Sequence, residues 1–139
     1  MSGRSERPAA AGAMARRLAF ELEQPEEALR VLDEAGDHPG LGVVRAEILL
    51  AGGHVADARR ALEVTLARSA EIEPPTLREA IERAARGAQA RVEVAEGEAA
   101  LAEGRREEAL FAMRRAATLD PTWREPRARL DDLRPRRRS

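Results

Sequence analysis

The run Gly104 to Pro121, GRREEALFAMRRAATLDP, constrains the fold more than any other stretch of the chain. Gly104 ends one helix. Glu107 and Glu108 then fall in the first turn of the next, where carboxylates oppose the positive end of the helix dipole, and Asp120-Pro121 stops it. Ala109, Met113 and Ala116 recur at steps of four and three, so one helix face carries small side chains that let a neighbour approach closely. A chain made of such pieces is all-α and built from antiparallel helix-turn-helix units.

The other segments read the same way. Residues 1–11, rich in Ser, Gly, Arg and Pro, are expected to be disordered. A helix is expected from about Ala13 to Glu23, with Met14, Leu18, Ala15 and Phe20 as its inward candidates. Pro25 suits the first turn of a second helix, Pro25 to Ala35, with the stripe Ala28, Leu29, Val31 and Leu32. The turn GDHPG follows. Leu41 to Ala51 and Val55 to Ala70 form the next pair, broken at Gly52-Gly53, and Glu73-Pro74-Pro75 closes it.

From Leu77 the pattern Ile81, Ala84, Ala88, Val92, Ala95, Ala99 and Ala102 keeps one phase through Gly87 and Gly97. This predicts one long helix over about 76–103, with a break near Gly87 as the alternative. Glycine inside a helix costs only about 1 kcal/mol, so neither glycine forces a break. Arg105 to Leu119 and Thr122 to Leu133 complete the set, and RPRRRS is read as a flexible basic tail.

The third unit, Ala90 to Trp123, resembles a tetratricopeptide repeat through Gly97, Gly104, Ala109, Met113 and Ala116 and its Leu119-Asp120-Pro121 ending. The second, from about Pro39, offers Ala46, Leu49, Gly53, Ala58 and Leu62. The first, from about Ala9, offers Ala19, Ala28, Leu32 and Ala35. Ala28 to Ala58 spans 30 positions and Ala58 to Ala109 spans 51, the excess being an insertion over residues 75–89. Arg16 and Glu93 stand where the family has a small residue and a large aromatic. The resemblance implies a short right-handed solenoid over residues 12–133, capped by the last helix with Arg124, Arg127, Arg129, Asp131 and Asp132 turned out. It also implies a concave groove lined by the first helices. That nominates Met14, Arg17 and Glu21, then Val43, Glu47 and Leu50, then Arg91, Val94 and Glu98, as contacts for a partner's peptide or helix. Relatives that clamp a chaperone's C-terminal carboxylate use Lys and Asn, both absent here.

Composition narrows the chemistry. Hydrophobic residues make up 43% of the 139 but aromatics only 2%, so Ala fills the interior and little area is buried per residue. Absence of Cys excludes disulfides and thiolate chemistry. His38 and His54 sit in separate turns, each without the second ligand at helical spacing that a metal needs. The pairs Glu26-Glu27 and Glu107-Glu108 are explained by helix first turns, and no Ser has a neighbouring base. The expectation is therefore no enzyme, no metal and no cofactor.

All 24 basic residues are Arg, which fits the codon bias of a GC-rich, bacterial genome. Net charge is -1, but residues 105–139 hold eleven Arg against six acids. Arg134, Arg136, Arg137 and Arg138 are candidate phosphate contacts in the tail at 134–139. They could hold phosphates but, without aromatics among them, could not read bases. No apolar run reaches the ~18 residues of a membrane span, and no signal-peptide core precedes Leu18, so a cytoplasmic chain without membrane insertion is expected. The leading expectation is a protein-binding adaptor or scaffold. A homodimer through the Ala-lined face of the long helix would extend it. The alternatives are a nucleic-acid accessory protein acting through the Arg-rich quarter and a structural subunit of a larger assembly.

Overall fold

The computed structural model describes the backbone of residues 3–135, with side chains from residue 8 onward. Among the described residues there are seven α-helices and no strand. The chain divides into two compact units, residues 1–88 and 89–139.

The first unit begins with α1, Gly3–Arg16, continued by a π-helical segment, Arg17–Glu21. The described part of the segment expected to be disordered, residues 3–11, is thus helical, and α1 starts ten residues before Ala13. Two features account for the difference. Pro8 lies within α1 and removes one main-chain donor, a loss the Ala-rich sequence beyond it tolerates. Docking supplies the rest: Ala15 is fully buried, and a Cβ on Gly12 would lie 3.5 Å from Val44 and 3.6 Å from Leu41. In the π turn Leu22 N–H donates to the Arg17 carbonyl at 3.0 Å, one residue wider than an α-helical bond. Glu23 then takes a left-handed φ of 54° and hands the chain to Pro25.

Helix α2, Pro25–Ala35, starts and ends where Pro25 and Gly36 predict, and its Ala28 and Leu32 are fully buried. Helices α3, Gly42–Ala51, and α4, Val55–Ala67, form the next hairpin about Gly53, whose φ of 83° suits glycine. Their closest approach is at Gly42, where a Cβ would lie 1.6 Å from Thr65 Oγ1. The Thr65 hydroxyl donates to the Pro39 carbonyl at 3.1 Å and so ties α4 to the 3-10 turn Pro39–Leu41. α4 is shorter than expected, ending at Ala67 before the 3-10 turn Ser69–Glu71. The core joins Ala15, Ala28, Leu32, Leu41, Val44 and Ile48 from three helices and one turn.

Helix α5, Pro75–Ala102, runs through both Gly87 and Gly97 without a break. Its first half belongs to the first unit and its second half to the second.

In the second unit, α6, Arg106–Leu119, buries the small stripe read from its sequence: Ala109, Met113 and Ala116 are all fully buried. Gly97 supplies the matching surface on α5, where an added Cβ would meet Met113 Cε at 3.0 Å and Ala112 Cβ at 3.2 Å. The buried carboxylate of Glu93 meets Arg115 of α6 at 3.3 Å. Helix α7, Glu125–Leu133, packs on α6 through the buried Pro126 and Leu133. Arg124, Arg127, Asp131 and Asp132 are exposed as expected, but Arg129 is not turned out. Its guanidinium grips Glu98 of α5 at 2.6 and 3.0 Å, because a long side chain near the helix middle can reach back across the hairpin.

Candidate functional site

Three helices of the first unit present small side chains toward a shared space. On α1, Ala9 and Ala13 are one turn apart; on α5, Ala80 and Ala84 repeat the spacing, with Leu77 and Ile81 beside them. Val43 of α3 and Leu41 of the preceding turn lie beneath. Together they bound a mostly apolar cleft of about 360 Å³. Ala13, Ala80 and Ala84 are exposed, and Leu77 is 41% exposed, so the walls are open to solvent.

Among the described residues three polar side chains border the cleft: Arg16, His38 and Glu73. Arg16 is bidentate on Glu47, at 3.2 and 3.3 Å. His38 accepts the Gly40 N–H on Nδ1 at 3.0 Å, which caps the 3-10 turn. Glu73 lies 3.8 Å from Arg78, whose Nε and Nη2 hydrogens go to the carbonyls of Ile72 and Ala70.

A second hollow of about 330 Å³ lies between α3, α4 and the turn before α3, and His38 and Leu41 border both. Its ionic side chains include two Arg held by carboxylates. Arg45 pairs with Asp33 at 2.8 Å, and Arg68 with Asp37 and Glu71, each at 2.9 Å. Glu71, and after it Asp37, push the Arg68 guanidinium further above its ordinary range, and Arg68 holds the Glu71 carboxyl below its own.

The nominated groove residues scatter. Val43 lines the cleft, and Glu47 stands on its rim through Arg16. Met14 is 51% exposed, Arg17 and Glu21 pair with each other at 3.6 Å, and none of the three borders the cleft. Leu50 is half-buried outside it. The other three belong to the second unit. There Arg91 is held by Asp120 at 3.2 Å and by the Trp123 ring, Glu98 by Arg129, and Val94 is half-buried. Arg129 holds the Glu98 carboxyl below its usual range, while Thr122, with Arg91, does so for Asp120. Arg134 lies 3.9 Å from Asp131, and Arg136, Arg137 and Arg138 lie outside the described residues.

Cleft residues not nominated include Ala9, Gly12, Ala13, His38 and Leu77. The Ala-lined face of the long helix is divided: Ile81 and Ala84 line the cleft, whereas Ala88 is only 6% exposed. Among the described residues no three His, Cys, Asp or Glu side chains gather as a metal site would need, and no helix is long and apolar enough to cross a membrane. No family model, curated protein or solved structure matches the chain.

Proposed function

We propose that this chain is a non-enzymatic protein-interaction module, an adaptor or scaffold that holds a segment of a partner protein in the cleft between α1, α3 and α5. On this reading α1–α2 and α3–α4 are two degenerate tetratricopeptide-type pairs, and the second half of α5 with α6 is a third. The hairpins closed by small residues at Gly42 and Gly97 support that kinship. The observation that carries the function is the cleft itself. Exposed Ala13, Ala80 and Ala84 and the half-exposed Leu77 and Ile81 form apolar walls over a buried floor, at a volume near the lower end of ligand clefts (about 300–1,000 Å³). Open apolar concavity of this kind gains free energy when another apolar surface displaces its water.

The test uses Ala13→Glu/Ala84→Glu. Both positions are exposed on helices and glutamate is a good helix former, so circular dichroism and melting should match wild type. A protein recovered from native lysate by wild type and lost by at least tenfold with the variant supports the adaptor. Recovery that is indifferent to the variant places the interaction elsewhere and sinks the cleft reading.

A further inference from the structure

The chemistry of the rim specifies the kind of segment the cleft would accept, an inference that rests on the reading just given. The volume of about 360 Å³ is a little over twice the ~150 Å³ that encloses a benzene ring, so it has room for about two aliphatic side chains.

His38 supplies the first polar constraint. An imidazole nitrogen that accepts carries no proton, so the bond from Gly40 N–H to Nδ1 leaves the ring hydrogen on Nε2. Nε2–H donates to nothing among the described residues, although the ring is half-buried beside aliphatic walls. That donor is open to solvent, so an acceptor on the occupant can take the place of its water. A helix spends its main-chain carbonyls internally, whereas an extended segment offers them freely.

Charge supplies the second constraint. Among the described residues the lining holds one cation and one acid, and they are not equally satisfied. Arg16 is neutralised by its bidentate contact with Glu47. Glu73 is three-quarters exposed and shares only the 3.8 Å approach of Arg78, whose hydrogens already serve two carbonyls. Of the two, the Glu73 carboxylate is the more loosely paired and the more exposed, so it is the rim charge to which a further cation can bind.

We propose that the cleft recognises an extended partner segment carrying two aliphatic side chains and an adjacent Lys or Arg, with His38 Nε2–H donating to its main-chain carbonyl and Glu73 pairing with its basic group.

The probe is a random peptide library displayed on phage. It is panned against the full chain with counter-selection on Ala13→Glu/Ala84→Glu, and the enriched peptides are then titrated individually. The expected result is a shared pair of aliphatic residues next to Lys or Arg. Glu73→Gln should weaken these peptides about two- to fivefold, the range of an exposed ion pair. His38→Asn keeps an acceptor for Gly40 N–H through a short amide but withdraws the ring donor, and should cost about two- to tenfold. Cleft-dependent peptides that lack a basic residue, or that ignore both variants, would overturn this inference and leave the cleft reading standing. Failure to enrich any cleft-dependent peptide would overturn both.

Discussion

The guanidinium carbon of Arg91 sits 4.2 Å from the centroid of the Trp123 ring, and the same side chain donates to Asp120 at 3.2 Å. One α5 residue thereby fixes the turn between α6 and α7. The cation–π contact and the exposed ion pair are each worth at most about 1 kcal/mol, so Arg91→Ala should destabilise the second unit by roughly 1 kcal/mol. Trp123 is the single tryptophan, so its emission reports this locus directly. A red shift should accompany the loss in urea melts, and Arg91→Lys should restore only part of both. Unchanged emission in Arg91→Ala would contradict the stacking.

A double-mutant cycle tests the contact between α3 and α4. Gly42→Ala puts a methyl group where Thr65 Oγ1 now lies and also within 3.2 Å of the Ala61 carbonyl. The expected loss is about 2–3 kcal/mol, through overpacking and the broken bond to Pro39. Thr65→Ala alone should cost about 1 kcal/mol. The double variant should be markedly less damaged than the sum, since the clashing oxygen is gone. Additive losses would refute the contact.

Gly97 is a gentler case. Alanine there gains up to about 1 kcal/mol of helix propensity but meets Met113 Cε and Ala112 Cβ at 3.0 and 3.2 Å. The flexible methionine end can yield, so Gly97→Ala should stay within about 1 kcal/mol of wild type. Gly97→Leu has no such escape and should lose about 1–3 kcal/mol by thermal or urea melting. Equal stability of all three would mean that α5 and α6 do not meet closely at this position.

Acid should weaken the second unit through two carboxylates. Glu98 and Asp120 are held below their ordinary values by Arg129 and by Thr122 with Arg91. A depressed folded-state value means the stabilisation is complete above the unfolded value near 4 and disappears as pH falls through the lower folded one. Urea melts between about pH 5 and pH 3 should show a progressive loss, under about 1 kcal/mol per group because both pairs are partly solvated. Arg129→Ala should remove the Glu98 share of that slope. A slope unaltered by Arg129→Ala would rule out this assignment.

Sequence carried the local signals and missed the long-range ones. Pro25 and Gly36 bound α2 because each acts within its own turn. The continuity of α5 was legible because the small residues keep one phase past both glycines. The start of α1 was not, since its support comes from Leu41 and Val44, about thirty residues away. On α1 and the π turn after it, the nominated Met14 and Arg17 are each one residue past the cleft-lining Ala13 and Arg16, a rotation of about 100° that turns the intended face aside. Arg91 and Glu98 look free in sequence because the residues that claim them, Asp120 and Arg129, lie 29 and 31 positions downstream.

The alanine and glycine in the cleft walls have a thermodynamic consequence. A side chain without rotamers has nothing to freeze, so occupancy of the cleft would cost almost no conformational entropy on the Ala9, Gly12, Ala13, Ala80 and Ala84 surfaces. The ordering penalty of the complex would fall on the guest segment. Preorganising that guest, by cyclisation or a well-placed proline, is then the most direct way to tighten binding. Enlarging any one wall alanine reshapes the cavity by whole methylene groups, which makes each of these positions a coarse selector of guest size.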